Sequence, residues 1–328
     1  MIKLFVYAMR EYDEKPCFDR WCRELGVELG YTTEDPTPDT LSLAQGYDAV
    51  CVLLNELDAD SIRHLHQMGV KYLSTRTVGF DHIDLEAAQA LHMPVVHAFY
   101  PPQGVANYTI LLMLLCCRKM KLILERSLTR NFTLQGCMGS ELSNLTVGIL
   151  GTGQIGSTVI RHLAGFGCKI LAYDPYPRDD LNELAKYVTL EELYQQADII
   201  SLHIPASKEN RHIIGREALH QMREGVILVN TGRGDLIDSE ALIEALDAGK
   251  VGGAGLDVLE DEAGLFFHDI SAGPPLTREM ALLRAHPSVI ITPHTAFYTD
   301  EAVEHMVMNA VKGVVACAQG GENPFLVS

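Results

Sequence analysis

A glycine-rich turn is the clearest chemical feature of the sequence. The apolar run Leu145–Leu150 leads directly into Gly151-Thr-Gly-Gln-Ile-Gly156, and a helix-like stretch follows. In a strand-to-helix turn of this type, Gly151 permits the tight turn and Gly153 lets the backbone approach a pyrophosphate. Gly156 then permits close packing of the helix. The spacing and its context predict a dinucleotide-binding turn.

The residues that flank this turn support the same interpretation. The first free N–H groups of the helix, near Gln154 and Ile155, would hold the phosphates. Asp174 follows the strand Lys169–Tyr173 and lies eighteen positions after the last glycine. A carboxylate there can accept both ribose hydroxyls of NAD, and it would repel the additional phosphate of NADP. Asp174 could instead be only a turn residue before Pro175, but the glycine motif favours cofactor binding.

The elements that must position these residues are short β-branched runs that alternate with helical patterns. Such alternation is typical of a parallel sheet with helices on both faces. The predicted strands are Lys3–Tyr7, Val27–Tyr31, Ala49–Leu54, Lys71–Ser74, Pro94–His97, Leu145–Leu150, Lys169–Tyr173, Ile199–His203, Val226–Asn230, Gly253–Asp257 and Val289–Thr292.

Helical patterns complete this architecture. Pro101–Pro102 interrupts the chain, and a long, almost continuously apolar helix is predicted from about Gly104 to Arg126, buried on most sides. The last helix is predicted from about Thr299 to Ala318, and the notable irregular stretch is Glu260–Thr277. The fold class predicted is therefore α/β, with two doubly wound parallel sheets in series.

Composition limits the classes of partner. A chain of 328 residues is long for one core, so two domains are expected. The formal net charge of −17 argues against nucleic acid or an anionic membrane surface as a partner, because both require clustered Lys and Arg. A small anionic substrate is still compatible, provided that its site supplies local positive charge.

Neither targeting nor metal binding is predicted. The first residues lack the pattern of a secretory signal, and the most apolar stretch, Ile110–Cys117, is much shorter than a membrane helix. The eight cysteines contain no CxxC pair and the thirteen histidines show no ligand spacing. Free thiols in a reducing cytoplasm are therefore expected, rather than disulfides or a metal site.

Several later segments resemble the D-isomer-specific 2-hydroxyacid dehydrogenases. Three motifs follow the glycine turn in the order of that family, namely Val229-Asn-Thr-Gly-Arg-Gly-Asp-Leu-Ile-Asp238, Gly255-Leu-Asp-Val-Leu-Glu-Asp-Glu262 and Thr292-Pro-His-Thr-Ala296. The chain is most similar to the D-lactate dehydrogenase branch, including the vancomycin-resistance type. That similarity lies in Thr75-Arg-Thr-Val-Gly79, Phe99-Tyr-Pro-Pro102, Gly165-Phe-Gly-Cys168 and Pro293-His-Thr-Ala-Phe-Tyr-Thr299.

The resemblance implies a domain organisation and an assembly. A Rossmann NAD-binding domain, residues 101–293, would be inserted into a flavodoxin-like substrate domain made of residues 1–100 and 294–328. Members of the family are usually homodimers that contact through the coenzyme domain. The apolar helix Gly104–Arg126 is thus a candidate interface, with a helix buried inside its own domain as the alternative.

The resemblance also implies three catalytic residues for the reduction of a 2-oxo acid. The planar guanidinium of Arg233 matches the edge of a carboxylate. His294, which follows the last strand, would donate the proton that the carbonyl oxygen needs. Glu262 would pair with His294, favour the imidazolium and fix its tautomer. Glu260 is the near competitor, and Glu262 is chosen because the family's glutamate lies five residues after Asp257.

Further site residues are implied by matching segments. Those expected to bind the cofactor, besides the glycine turn and Asp174, are Ile204, Pro205, Asn210, Thr231, Gly232 and Asp257, the last of which contacts the nicotinamide end or supports the site. Val78 and Gly79 are expected to bind the substrate carboxylate through their backbone, as in the family. Leu54 aligns with a bulky tyrosine of many lactate-specific relatives and is expected to contact the substrate side chain. Tyr100, Phe297 and Tyr298 could supply an aromatic wall around it. Gly232 departs from the Ala or Ser that is more usual in the family.

Two alternatives stay open. The first is another enzyme of the superfamily, such as a glycerate, phosphoglycerate or formate dehydrogenase. Phe266-Phe-His268 and Phe297-Tyr298 favour the lactate branch instead. The second is an NADH-sensing binding protein, since transcriptional corepressors exist on this fold, although the acidic charge disfavours it. Within the lactate branch, pyruvate is the lead substrate, and phenylpyruvate or 2-oxoisocaproate are the larger alternatives.

Overall fold

A computed structural model describes residues 1–262, 264–273 and 275–327. Its strands are Ile2–Val6 (β1), Val27–Tyr31 (β2), Ala49–Val52 (β3), Tyr72–Thr75 (β4), Val95–Val96 (β5), Thr146–Leu150 (β6), Lys169–Tyr173 (β7), Lys186–Tyr187 (β8), Ile199–Leu202 (β9), Val226–Asn230 (β10), Val251–Leu256 (β11) and Val289–Ile291 (β12). Its α-helices are Glu14–Leu25 (α1), Ala59–Gln67 (α2), Leu85–Ala90 (α3), Gln103–Cys117 (α4), Met120–Leu128 (α5), Gln154–Leu163 (α6), Leu190–Gln196 (α7), Arg216–Gln221 (α8), Ser239–Asp247 (α9), Arg278–Ala285 (α10) and Asp300–Gln319 (α11).

The chain forms two compact units, and the first comprises residues 1–101 and 298–328. Its five strands pair in parallel in the order β2-β1-β3-β4-β5, which is the flavodoxin-like order. Buried parallel strands read as continuous apolar runs, and all four residues of β3 are buried. The last helix, α11, covers one face of this sheet through the buried side chains of Val307, Ala310, Val311 and Val314.

The second unit comprises residues 102–297. Its seven strands are also parallel, in the order β12-β11-β10-β9-β6-β7-β8. The order in which the chain adds strands to the sheet changes direction between β6 and β9. These two strands are parallel and pair in register, from Val147 opposite Ile199 to Leu150 opposite Leu202. This is the order of a Rossmann sheet, in which ligands bind at the carboxyl ends of the strands beside the reversal. The predicted fold class is confirmed.

Both faces of this second sheet are covered by buried apolar clusters. Helix α4 packs on one face so closely that a Cβ added at Gly255 would lie 3.0 Å from the Cβ of Leu112. Small residues in β11 therefore let the apolar helix approach the strand. The close packing keeps the carboxyl end of β11, where a predicted motif begins, fixed relative to the sheet.

The predicted long helix Gly104–Arg126 is wrong in one respect, because the structure divides it into α4 and α5. The break lies at Lys119, whose φ of 51° is left-handed and cannot continue an α-helix. Helix α5 has no buried residue, whereas α4 has eight. The expectation of burial on most sides therefore holds for α4 alone.

Other elements follow the predictions to within a few residues, and the two-residue strand β8 is an addition to them. The predicted domain boundaries lie at 100/101 and 293/294, and the compact units divide at 101/102 and 297/298. The assignment of a substrate domain and an NAD-binding domain to these ranges stays a prediction. Among the described residues, no helix is both long and apolar enough to cross a membrane.

Candidate active site

The glycine turn lies between β6 and α6, and each glycine has a different reason to lack a side chain. Gly151 has a φ of +94°, and a Cβ on it would lie 2.6 Å from the carbonyl oxygen of His203. A Cβ on Gly156 would lie 2.0 Å from the carbonyl oxygen of Gly151. A Cβ on Gly153 would meet no atom within 4 Å. The first two positions therefore serve packing, while Gly153 borders open space into which a ligand can fit.

The start of α6 is suited to an anion. Gly153 is the residue before the helix, and the first helical positions are Gln154, Ile155 and Gly156. Their backbone N–H groups have no acceptor within the helix, because the intrahelical ladder begins with Ser157 N–H donating to the Gly153 carbonyl at 2.9 Å. Free N–H groups and the positive end of the helix dipole together favour a pyrophosphate.

Asp174 lies directly after β7, beside the glycine turn. Its Oδ2 accepts hydrogen bonds from the N–H of Thr152 at 2.6 Å and from the Thr152 hydroxyl at 3.0 Å, and its Oδ1 accepts from Tyr176 N–H at 2.9 Å. The carboxylate is thus oriented by the turn that it would serve. Arg178, the nearby cation, forms an ion pair with Asp180 at 3.0 Å.

The segment after β9 carries three of the predicted cofactor residues. Ile204 touches the glycine turn, since its Cγ2 would lie 2.8 Å from a Cβ on Gly151. Pro205 follows, and the Asn210 side-chain amide donates to the Pro205 carbonyl at 3.0 Å. Asn210 therefore closes this loop. His203 lies at its start with Nε2 2.9 Å from the Ser201 hydroxyl, and desolvation lowers the pKa of His203 to about 4, so the ring is neutral.

Arg233 stands on a turn that follows β10 and is held by a buried amide. Asn230 is fully buried; its Nδ2 donates to the Arg233 carbonyl at 2.8 Å, and its Oδ1 accepts from Gly232 N–H at 3.0 Å. Within the same turn, the Thr231 hydroxyl lies 2.8 Å from that of Thr109. The partly exposed guanidinium is therefore carried on a turn with little freedom.

Gly234 brings this turn against the segment after β11. A Cβ on Gly234 would lie 2.0 Å from the carbonyl oxygen of Leu259, so only glycine permits the approach. The N–H of Leu259 in turn donates to Oε2 of Glu262 at 2.9 Å. The arginine turn and the glutamate segment are therefore packed together by direct backbone contact.

Asp257 holds the segment that carries His294. It is fully buried. Its Oδ1 accepts from the Thr292 hydroxyl at 2.6 Å and from Thr295 N–H at 2.9 Å, and its Oδ2 accepts from Ala296 N–H at 2.8 Å. The Asp257 carbonyl accepts the N–H of His294 at 2.8 Å. Two roles were predicted for Asp257, contact with the nicotinamide end of the cofactor or stabilisation of the site. These contacts favour stabilisation of the site.

His294 and Glu262 form the central contact of the site. Their Nδ1 and Oε1 atoms are 2.6 Å apart, and both side chains are mostly buried, at 14% and 20% exposure. Nε2 of His294 has no hydrogen-bond partner in the described part of the chain. The histidine also has a φ of 51°, a left-handed conformation that is uncommon outside glycine and concentrates at functional sites.

The competing carboxylate, Glu260, points to a different histidine. Its Oε1 lies 2.6 Å from Nε2 of His212, and its Oε2 accepts the N–H of Ser239 at 2.9 Å. Desolvation raises the pKa of Glu260, but the hydrogen bonds to His212 and Ser239 outweigh this effect and leave that pKa below its usual value. The structure therefore brings Glu262, and not Glu260, into contact with His294.

Apart from Phe297, the predicted substrate residues lie in the first unit. Leu54 follows β3, Val78 and Gly79 follow β4, and Tyr100 follows β5, so these four lie at the carboxyl ends of three neighbouring strands. All four are partly exposed. Tyr298 precedes α11, and the Arg10 guanidinium lies 5.5 Å from the centre of its ring.

Several residues that contact the predicted site residues or their near competitor Glu260 were not predicted from the sequence. They are Thr152 at Asp174, Asn230 under Arg233, Thr292 and Thr295 at Asp257, and His212 at Glu260. The sequence offered a signal for the first four, because each has a short polar side chain and lies close in sequence to a predicted site residue. His212 has no such signal, because its partner is 48 positions away.

The arrangement in the second unit can perform a specific kind of chemistry. The glycine turn, Asp174, Arg233, Glu262 and His294 follow the carboxyl ends of five strands of one sheet. A nucleotide site, a carboxylate-binding cation and a histidine paired with a carboxylate are the groups that hydride transfer with proton transfer requires. The described residues contain no cluster of side chains that could hold a metal ion.

Comparison with known proteins gives the family. The profile of the "D-isomer specific 2-hydroxyacid dehydrogenase, NAD binding domain" matches residues 110–296. The chain is 42% identical to a D-specific alpha-keto acid dehydrogenase of Enterococcus faecium over 95% of both chains, and 40% identical to an aromatic 2-oxoacid reductase of Clostridium sporogenes over 93% of both.

A solved structure agrees with these relatives. The pyruvate reductase of Chlamydomonas reinhardtii superposes with a TM-score of 0.89 and 33% identity, over 99% of this chain and 98% of that one. The family match covers the unit in which the glycine turn fits a dinucleotide. The chain therefore belongs to the D-isomer specific 2-hydroxyacid dehydrogenases and is an NAD-dependent oxidoreductase.

Proposed function

We propose that this D-2-hydroxyacid dehydrogenase reduces pyruvate to D-lactate at the expense of NADH, and that Arg233, Glu262 and His294 carry the reaction. The observation on which the proposal rests is the 2.6 Å contact between His294 Nδ1 and Glu262 Oε1, at the carboxyl ends of the sheet that carries the glycine turn. The contact leaves Nε2 as the nitrogen that meets the substrate.

Each of the three residues has one task. The guanidinium of Arg233 binds the carboxylate of the 2-oxo acid through two parallel hydrogen bonds. Nε2 of His294 donates a proton to the carbonyl oxygen, where negative charge develops. Glu262 accepts from Nδ1 and fixes the orientation and the tautomer of the ring. NADH, when bound, supplies the hydride.

The cofactor site is proposed in the second unit. The open space at Gly153 and the N–H groups of Gln154 and Ile155 would hold the pyrophosphate. Asp174 would accept the ribose hydroxyls. The remaining cofactor contacts are proposed at Ile204, Pro205, Asn210, Thr231 and Gly232, and Asp257 is proposed to support the site.

The domain assignment follows from this site. Residues 101–293 are proposed as the NAD-binding domain, and residues 1–100 with 294–328 as the substrate domain. Backbone groups of Val78 and Gly79 are proposed as substrate contacts in the first unit. Leu54, Tyr100 and Tyr298 would contact the rest of the molecule.

Larger 2-oxo acids are the second candidate substrates. Leucine at position 54 leaves more apolar space than an aromatic side chain would, and each methylene of substrate that is buried can contribute about 0.8 kcal/mol. Similarity to the aromatic 2-oxoacid reductase and to a solved D-2-hydroxyisocaproate dehydrogenase, with a TM-score of 0.86 and 33% identity, supports this candidate.

The test is the loss of NADH absorbance with pyruvate, phenylpyruvate and 2-oxoisocaproate, followed by chiral analysis of the product. We expect the D-enantiomer, and a loss of at least about 100-fold in kcat for His294→Asn. Asparagine also accepts a left-handed backbone, so the variant keeps the fold. NADH binding without turnover of any acid would instead indicate an NADH-sensing protein.

The turnover number separates the two carboxylates. In Glu262→Gln, kcat for reduction should fall, because the carboxylate that accepts from His294 Nδ1 at 2.6 Å is replaced by a neutral amide. Glu260→Gln, the matched control two residues away, should leave kcat unchanged because Glu260 contacts His212. A fall in kcat in Glu260→Gln alone would mean that Glu260 is the catalytic carboxylate.

We further propose that the protein is a homodimer that contacts through α5 and the residues that follow it. This segment exposes apolar side chains that a monomer would leave in water: Leu124, Leu128, Phe132, Leu134 and Met138, four of which are at least 76% exposed. Light scattering after gel filtration tests the proposal. Leu128→Asp with Leu134→Asp should give monomers, while Leu43→Asp in the first unit should not.

A cytoplasmic location is proposed because all eight cysteines, which lie within the described residues, are free thiols. Cell fractionation followed by immunoblotting tests it. Recovery of the protein with a secreted fraction would contradict it.

A further inference from the structure

Three aromatic rings meet at the proposed proton donor. The ring centres of Phe267 and His294 are 6.1 Å apart, those of His294 and Phe297 are 6.3 Å apart, and those of Phe267 and Phe297 are 6.4 Å apart. Each separation lies within the range of aromatic contact. The imidazole therefore has two phenyl rings as neighbours, in addition to the carboxylate of Glu262.

Phe267 reaches this position through the turn that begins at Glu262. The Glu262 carbonyl accepts the N–H groups of Leu265 at 3.0 Å and Phe266 at 3.1 Å. One short turn thus supplies both the carboxylate at Nδ1 and the phenyl ring beside the imidazole. Glu262 and Phe267 contact His294 from the same segment.

The backbone of Phe267 is strained. Its φ is +68°, a left-handed conformation that is a genuine outlier for a bulky residue and is unfavourable relative to glycine. The residue is nevertheless 40% exposed, so burial of the side chain does not fully offset this strain. Strain of this kind concentrates where a side chain is needed for function.

The neighbouring phenylalanine behaves differently. Phe266 packs against the buried apolar cluster of the second unit, and no ring contact joins it to His294 in the described residues. The two adjacent phenylalanines therefore divide their tasks: Phe266 belongs to the core, and Phe267 extends toward the histidine.

We propose that Phe267 is a specificity-determining residue that, with Phe297, forms an apolar wall for the side chain of the 2-oxo acid. The proposal rests on the proposed function, because it takes His294 as the proton donor. A substrate whose carbonyl oxygen meets Nε2 has its carbon chain beside the imidazole, where these two rings lie. A phenyl or isobutyl group contacts the wall over a large area, and the methyl group of pyruvate contacts it little.

The experiment compares three variants by kcat/KM for pyruvate, phenylpyruvate and 2-oxoisocaproate. Phe267→Ala removes the ring, and Phe267→Gly removes it while relieving the positive φ, so at least the glycine variant keeps the fold. Phe266→Ala is the matched control. We expect the ratio of phenylpyruvate to pyruvate efficiency to fall about tenfold in both Phe267 variants, as loss of an aromatic contact predicts. In Phe266→Ala the ratio should stay constant while the melting temperature falls.

Each other outcome overturns the proposal. The ratio of phenylpyruvate to pyruvate efficiency could stay unchanged in the Phe267 variants, or kcat/KM could fall equally for all three acids. Either result would show that the ring does not recognise the substrate side chain. Failure of the proposed function is recognised separately, because then the unmodified protein would reduce none of the three acids. An NADH titration by fluorescence, with the same affinity expected in all variants, excludes an effect on the cofactor.

Discussion

In the glycine turn, alanine substitutions at two positions three residues apart distinguish a glycine needed for packing from a glycine needed for cofactor binding. Gly153→Ala adds a Cβ that meets no protein atom within 4 Å, on a backbone with φ of −60° that alanine accepts. Gly156→Ala adds a Cβ 2.0 Å from the Gly151 carbonyl oxygen, and a shift of about 1.4 Å would be needed to reach the ordinary contact distance of 3.4 Å.

The expected magnitudes differ accordingly. For Gly156→Ala, overpacking costs about 1–3 kcal/mol, and the better helix propensity of alanine offsets at most about 1 kcal/mol of it. The melting temperature should fall by a few degrees. For Gly153→Ala the free energy of unfolding should change by less than about 0.5 kcal/mol. Its Cβ instead occupies the space of the pyrophosphate, so the Kd for NADH should rise about tenfold or more.

Calorimetry of the free protein and fluorescence titration with NADH provide the two measurements. Gly165→Ala is the control, because a Cβ on this exposed glycine also meets nothing within 4 Å but lies beyond the proposed site. Gly165→Ala should change neither the melting temperature nor the Kd for NADH. Wild-type affinity for NADH in Gly153→Ala would refute the reasoning, since the pyrophosphate could not then lie against this residue.

Three further predictions concern Asp174, His203 and Leu54. NADH should be strongly preferred to NADPH in kcat/KM, and Asp174→Ser should narrow the difference; comparable efficiency in the unmodified protein would contradict the role of Asp174. The pKa of His203 is lowered from 6.5 to about 4 by desolvation, so the unfolded chain takes up the proton first and stability should be lost as pH falls from about 6.5 to 4. In His203→Gln, denaturant unfolding should show a smaller loss of stability between about pH 6.5 and 4. A loss equal to that of the unmodified protein would contradict this role of His203. Leu54→Tyr should shift kcat/KM toward pyruvate and away from phenylpyruvate, and a ratio that does not move would assign Leu54 to packing alone.

The sheets could be predicted from the sequence because their strands are buried on both faces. Such strands are uniform apolar runs, as in β9, where all four residues are buried. Strand β8 was not predicted, since it has two residues and neither is buried. The break between α4 and α5 was also missed, because Lys119 adopts its left-handed backbone without the glycine or proline that usually announces a helix end.

The site was predictable to the extent that its residues belong to contiguous motifs or are implied by the family resemblance. The glycine turn is of the first kind, and the pairing of His294 with Glu262, 32 positions away, is of the second. Other contacts between distant segments were not predictable: the Thr109 and Thr231 hydroxyls meet across 122 positions, and His212 reaches Glu260 across 48. The irregular stretch from Glu260 to Thr277 gave no periodicity from which to place Phe267 beside the histidine.

The position of α11 in the first unit has a consequence for biosynthesis. The ribosome makes β1 to β5 before the second unit, yet α11, the helix that covers one face of their sheet, is made only after that unit. The second unit lies entirely between these two parts and has all of its strands before α11 is made. We therefore expect the second unit to fold during translation while the N-terminal sheet still exposes apolar surface, which makes that interval the period in which a nascent chain depends most on chaperones.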